Sequence, residues 1–349
     1  AEAIVELRRV STAQETHPLA RPTDHLHTLN TLALCLRATQ KVEEAIEIVK
    51  RVRVNAVALE GPDSLLALSA DENFASFTYD VGQIEDAETM QRSVVERRRR
   101  LTGEDRVETL SALSNLAFYL GHRSNHAEAE TIQRKLVEAH RQRLGPKHHA
   151  TLTSINNHAY TLENLNRKTE ALAGYEEALA GRVETLGEAR PPTLITRGNL
   201  ATLLAGLGRH AEALTHQRRA LEISIRKNGP DHLDTLIAKN NLAGTLQDSG
   251  NVAEAAPLYS EVSSTGQRTL GADHWIAAVF DSNYAKCLMA LSRFEEAERL
   301  LLAAQPRLVQ KLGLHHAHTK KTTTNLIHLY EKWKRPEDAS KWAAALKVQ

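Results

Sequence analysis

Aromatic residues make up only 4% of this 349-residue sequence, and cysteine occurs twice, at Cys35 and Cys287. No run of 18 apolar residues exists, which excludes a membrane-spanning helix of ordinary kind. Lysine and arginine nearly cancel aspartate and glutamate, leaving a formal net charge of +1 and no bulk electrostatic argument for nucleic acid. Glycines never gather into a phosphate cradle; Gly145-Pro146-Lys147 and Gly229-Pro230-Asp231 read as turns. No G-x-S-x-G nucleophile motif occurs. Histidine is plentiful at 17, densest at His148-His149 and His315-His316-Ala317-His318, but no group is joined by cysteines or carboxylates at ligand spacing. The expectation is therefore a chain with no catalytic residues, no metal and no cofactor.

What the sequence has is a copy of itself every 42 residues. Stepping by that offset from Asn199 lands on Thr31, Asn73, Asn115, Asn157, Asn241, Asn283 and Asn325. Fourteen residues beyond each stands an alanine, Ala45 to Ala339, always preceded by Asp or Glu. Glycine recurs at Gly61, Gly103, Gly145, Gly187, Gly229, Gly271 and Gly313. Three histidines, His232, His274 and His316, fall three residues after such a glycine, which marks a repeated structural role.

Each mark has a reason if the unit is an antiparallel helix pair. In the unit that begins at Thr193, Leu194, Leu200, Ala201, Leu204 and Leu207 fall at helical spacing, as do Ala213, Leu214, Ala220, Leu221 and Ile225. Ala201 and Ala213 allow close approach where the helices cross. Gly208 is suited to end the first helix in a left-handed conformation, and Gly229 with Pro230 ends the second. The acidic residue before the alanine faces the positive end of the second helix. A repeat array of this sort buries its core neighbour by neighbour and needs no division into globular domains. It also keeps Cys35 and Cys287 far apart, so no disulfide is expected and a reducing, cytoplasmic setting fits.

The pattern Asn-Leu-Ala, then Gly, then Glu-Ala, with loops such as Leu-Gly-Pro-Lys-His and Leu-Gly-Ala-Asp-His, resembles the tetratricopeptide repeat in its kinesin-light-chain-like form. The resemblance implies an all-α, right-handed α-solenoid of about eight repeats over residues 25–349. Residues 1–24 then hold the second helix of an incomplete leading repeat, since Glu2-Ala3 matches the Glu-Ala pair, plus a loop with Pro18 and Pro22. This opening leads us to expect further sequence of the same protein upstream of Ala1. The resemblance also implies a protein-interaction scaffold in signalling, not an enzyme.

The last repeat departs from the pattern: Ile327 replaces the alanine, Lys334 the turn glycine, and Tyr330, Trp333 and Trp342 add aromatic bulk, as a terminal cap would. Its ending, Leu329-Tyr330-Glu331-Lys332-Trp333 followed by Arg335-Pro336-Glu337-Asp338-Ala339 and Trp342, is similar to the close of repeat arrays appended to bacterial serine/threonine protein kinases. That similarity implies an alternative function, the regulatory or substrate-recruiting region of such an enzyme. Elsewhere, Arg97 to Arg100 read as a solvated basic face at a helix C-terminus.

In this family the first helix of each pair lines a concave groove and the asparagine register contacts bound peptides. That carries over to Asn115, Asn157, Asn199, Asn241 and Asn283 as a peptide-binding ladder, since an amide both donates and accepts. The other reading, that each Asn bonds the neighbouring repeat and holds the stack together, stands beside it. One turn away, Tyr160, Ile195, Ile237, Lys286 and Lys321 take the groove from aromatic through apolar to basic. Only Lys286 and Lys321 approach the family's carboxylate clamp, so a mixed peptide with apolar anchors and an acidic portion fits better than a chaperone C-terminus. Partners are thus a peptide or protein, with no nucleic acid and no membrane.

Overall fold

Alternating short and long stretches at helical period build helices and nothing else. The computed structural model describes all residues except 1, 18, 20, 40, 272 and 349, together with the backbone alone at 348. Ala1 and Pro18 thus lie outside the described residues. Among those described there are seventeen α-helices and no strand. An opening helix, α1 (Glu2–Thr16), precedes eight pairs. They are α2 (Pro22–Ala38) with α3 (Val42–Glu60), α4 (Leu65–Asp80) with α5 (Ile84–Thr102), α6 (Val107–His122) with α7 (His126–Leu144), and α8 (His149–Asn164) with α9 (Lys168–Leu186). There follow α10 (Pro191–Gly206) with α11 (His210–Asn228), α12 (Leu233–Asp248) with α13 (Val252–Leu270), α14 (Trp275–Ala290) with α15 (Phe294–Leu312), and α16 (Ala317–Lys332) with α17 (Pro336–Val348). No helix among the described residues is long and apolar enough to cross a membrane.

The chain forms two compact units, Ala1–Leu165 and Asn166–Gln349. Within each, a helix packs on the next in sequence, and first helices of successive repeats also touch. The alanines at the crossings are fully buried, Ala201 and Ala213 among them. Two residues of the expected stripes are not: Leu207 and Ile225 are exposed, while Gln217, Ile223 and Ser224 take the buried positions on α11.

Turns between paired helices use a left-handed residue at a fixed register. Gly208 (φ 75°) donates its N–H to the Ala205 carbonyl at 3.0 Å, and Arg209 donates to Leu204 at 2.9 Å, a Schellman closure. Ser124, Ser292 and Lys334 adopt the same conformation (φ 58° to 61°) with the same pair of bonds, although they carry a Cβ. Between repeats the glycine has positive φ but extended ψ, as at Gly229 (87°, 168°), a region open to glycine alone. Its carbonyl accepts a hydrogen bond from a buried threonine six residues on: Thr109, Thr151, Thr193, Thr235 and Thr319 do so at 2.7 to 2.9 Å. The recurring histidine caps the next helix, Nδ1 accepting an N–H two residues on at 3.2 Å in His232, His274 and His316, and in His148 as well.

The final repeat closes with its aromatics. Trp333 stacks on Phe294 at 5.9 Å, and the Arg335 guanidinium lies 4.8 Å from both the Tyr330 and Trp333 rings. Arg335 also pairs with Glu298 and Asp338. Tyr330 donates to Glu298 at 2.8 Å; burial and then that carboxylate push its pKa up to about 12.

Candidate functional site

First helices present one face through the Asn register and the positions one turn to either side of it. In the second unit that face is opened by small residues. Gly198, Ala205, Gly206 and Gly244 leave two adjoining pockets on the exposed side of α10, α12 and α14. One, of about 370 Å3, is lined by Leu194, Ile195, Asn199 and Thr202 of α10, Ile237 and Asn241 of α12, and Gln217 of α11. The other, of about 600 Å3, shares Thr202, Gln217 and Asn241 and reaches Tyr259, Asn283, Lys286 and Lys321. Seven of the ten residues singled out from the sequence therefore line these two pockets: Asn199, Asn241, Asn283, Ile195, Ile237, Lys286 and Lys321.

The other three, Asn115, Asn157 and Tyr160, lie in the first unit, where the same face is filled. Asn115 and Tyr160 are exposed. Around them Tyr79, Phe118, Tyr119 and His122 form an aromatic cluster, with Tyr79 and Phe118 edge to face at 5.0 Å and Phe118 and His122 at 4.5 Å. The Tyr79 hydroxyl lies 3.2 Å from His122 Nε2.

The ladder is also a seam. Asn73 donates to Asn30 Oδ1 at 2.8 Å, Asn283 to Asn240 Oδ1 at 3.1 Å, and Asn325 to Ser282 Oγ at 3.1 Å, each partner belonging to the preceding repeat. Asn156 and Asn240 instead donate to the ladder residue beside them, Asn157 and Asn241, at 3.2 and 3.4 Å. With its oxygen engaged, Asn241 keeps both amide hydrogens for a ligand.

Charge in the second unit's pockets is uneven. Lys286 is 3.4 Å from Asp248, an exposed pair. Among the described residues Lys321 hydrogen-bonds only the Asn283 side-chain oxygen, also at 3.4 Å. The protein around Lys321 removes much of its solvation and, with the Lys286 cation nearby, lowers its pKa.

The arginine run is a solvated face only at Arg99 and Arg100; Arg97 and Arg98 turn inward. Arg97 pairs with Asp71 at 2.6 Å and Asp63 at 2.9 Å, and Arg98, buried, meets Glu72 through two bonds of 3.0 Å. Arg99 reaches Glu104, while Arg100 is exposed. Burial raises the Glu72 pKa even against Arg98. The reason is the carboxylates of α4, which draw the guanidinium groups of α5 inward. Among the described residues no group of three or more His, Cys, Asp or Glu side chains could hold a metal.

Tetratricopeptide-repeat models match residues 72–108, 108–184 and 192–268, more than half of the sequence. The chain belongs to the tetratricopeptide-repeat family. Among solved structures, this tetratricopeptide-repeat chain is similar to a Podosopora anserina protein named for kinesin light chain and its nearly identical TPR-like repeats. The two are 21% identical, with 61% of this chain and 99% of that one covered and a TM-score of 0.54. It is similar along more of its length to the apo quorum sensor NprR of B. thuringiensis (13% identity, 99% and 95% covered, TM-score 0.68). A Rap protein complexed with competence and sporulation factor is another match (11% identity, 93% and 97% covered, TM-score 0.58). At these identities the likeness concerns the fold. No curated protein matches the chain.

Sequence reasoning missed the contribution of the second helices. Gln217 and Tyr259 stand at one buried register of α11 and α13, which reads Val49, Gln91, Gln133, Tyr175, Gln217, Tyr259 and Leu301 along the chain, and this recurrence of Gln and Tyr at a buried position was the available signal.

Proposed function

We propose that this tetratricopeptide-repeat chain is a non-enzymatic interaction module that binds an extended peptide segment of a partner protein along the first-helix face of residues 166–349. The observation that carries the reading is the pair of adjoining open pockets, with Asn199, Asn241 and Asn283 along them, Ile195 and Ile237 at one end and Lys286 and Lys321 at the other. An extended backbone leaves its N–H and C=O groups unpaired, and amides spaced along a face can satisfy both. Successive side chains of such a segment point to opposite sides, so residues two apart can each enter one of the two adjoining pockets. The Rap match, solved with a bound factor, is consistent with this use of the fold.

The test is a displayed library of random dodecapeptides selected on the chain, followed by calorimetric titration of an enriched peptide. The Asn199→Ala/Asn241→Ala variant is expected to bind at least about fivefold more weakly, two lost hydrogen bonds being worth roughly 1–3 kcal/mol together. Unchanged affinity in a variant of unchanged helical circular dichroism would reject the ladder's role.

A further inference from the structure

Two side chains beneath the first helices, Gln217 and the core-packed Tyr259, carry polar groups with no hydrogen-bond partner among the described residues. Gln217 is 2% exposed, lines both pockets, and makes no hydrogen bond with any described residue. Its counterpart Gln91 in the first unit spends its amide N–H on the Ala112 carbonyl at 2.9 Å and leaves only its oxygen unpartnered, whereas Gln217 has both its amide hydrogens and its oxygen to offer. Tyr259 is 4% exposed, lines the larger pocket, and likewise has no hydrogen-bond partner among the described residues. Its hydroxyl lies 3.4 Å from the place where a Cβ on Gly244 would stand. Gly244 is thus the window through which a second-helix hydroxyl reaches the first-helix face. Both side chains are buried for most of their surface yet line an open pocket, so their unpartnered polar groups stand where a ligand can pair with them.

On the reading that this face binds a peptide, we infer that Gln217 and Tyr259 form the floor of a subsite that takes the carboxylate side chain of an aspartate or glutamate. Asn241 and Lys321 are its walls. The donor count selects the ligand: the Asn241 amide, the Gln217 amide, the Tyr259 hydroxyl and two lysines all offer hydrogen, and a carboxylate only accepts. Asp248 is the one opposing charge in the pocket, and it already faces Lys286. Burial, with Cys287 and Asp248 adding to it, raises the Tyr259 pKa, so the phenol remains a donor. The subsite lies between Asn199 and Asn283, partway along the ladder, so the bound backbone runs past it and a side chain enters. Because the two pockets share Thr202, Gln217 and Asn241, the acidic residue sits two positions from the apolar residue that fills the first. Residues i and i+2 of a strand share a face about 7 Å apart.

The peptides enriched by the display selection are expected to share an apolar residue and an acidic residue two positions apart. One is synthesised with an amidated C-terminus, alongside its Asp/Glu→Ala version, and both are titrated against the wild type, Tyr259→Phe and Gln217→Leu. Each variant is expected to weaken the acidic peptide about tenfold and the alanine version by less than about twofold, since hydrogen bonds to charged groups are the strong ones. Tyr259→Phe keeps the ring, so this difference between peptides does not arise from a change in packing. Equal losses for both peptides, no acidic preference, or loss of binding on amidation would overturn the inference. Peptides that depend on Asn199 and Asn241 but ignore Tyr259 and Gln217 leave the groove standing and remove the subsite. No enriched peptide at all removes both.

Discussion

The two units are built from the same helix pair, yet their first-helix faces differ in what stands three residues after the ladder asparagine. In residues 1–165 that register brings Leu34, Ser76, Phe118 and Tyr160; in residues 166–349 it brings Thr202, Gly244, Lys286 and His328. Phe118 and Tyr160 put rings on the first face where Thr202 and Gly244 leave the second one open. A second register repeats the contrast inside. Two residues before the asparagine the first unit has Leu29, Asp71, Leu113 and Ile155, mostly apolar, and the second has Arg197, Lys239, Asp281 and Thr323. All four of the latter are buried. The lesson is that a solenoid tolerates charge at a core register when a neighbouring helix supplies the counter-group, and large changes of surface when it does not alter the crossings.

The sharpest way to break this comparison is at Asp281. It is fully buried and accepts from Ser263 at 2.6 Å, Gln267 at 3.0 Å and Arg307 at 3.0 Å. Asp281→Ala removes the shared acceptor of Ser263, Gln267 and Arg307 from a fully buried site and is expected to cost about 3–5 kcal/mol in denaturant unfolding. Lys239→Leu, by contrast, restores the first unit's chemistry. Its partner Glu261 is open to solvent, so the expected change is neutral or stabilising by about 1 kcal/mol. Equal destabilisation by the two would contradict the account.

Gly244→Phe gives the second unit the ring that the first has at Phe118. Titration with the selected peptide should then show binding weakened by at least about tenfold, because the ring occupies the window above Tyr259. Undiminished affinity would mean that the pockets are not where the peptide lies.

A smaller effect concerns the turns. Lys334 holds a left-handed conformation that Gly82, Gly208 and Gly250 adopt without a Cβ. Lys334→Gly should stabilise the last repeat by about 1 kcal/mol, read as a higher Tm, and the same exchange at Ser124 should do so in the first unit.

Acidification should separate the units more gently. Burial holds His216, His316 and His318 below the ordinary imidazole value of 6.5, with Arg197 acting on His216 as well, and His316 and Lys321 on His318. In the first unit His140 alone among the described residues is so placed, by burial and then by His148, Arg143 and His149. A base whose folded pKa is depressed binds protons more readily when unfolded. Stability is therefore complete above 6.5 and declines as pH falls towards the folded value. Hydrogen exchange on the whole chain at about pH 7.5 and 5.5, corrected for intrinsic rates, should show the larger loss of protection in residues 166–349. A larger loss in residues 1–165 would contradict it.

The helices were legible because apolar residues and alanines recur at one spacing, and the ladder because an asparagine at a regular register of an amphipathic helix has nowhere to go but a face. The interior was less so. Arg197, Lys239 and Asp281 put charge at a register that is mostly apolar in the first unit, but a sequence does not show which segment supplies the counter-charge. Arg98 looked solvated because its partner Glu72 is 26 residues away. Gln217 and Tyr259 could be located on a buried face from the sequence, yet their access to the surface depends on Gly244, a residue on another helix.

The threonine that reaches back to the glycine carbonyl bears on how such a chain lengthens and shortens over time. At five junctions the seam between repeats is made by the same two groups, one hydroxyl and one carbonyl, six residues apart. Ala67 and Ala277 stand in the threonine's place after Gly61 and Gly271, but between the five junctions a duplication or loss of 42 residues brings the two halves of that joint together again. Tandem copying then leaves no scar at the junction, and the faces are free to diverge afterwards.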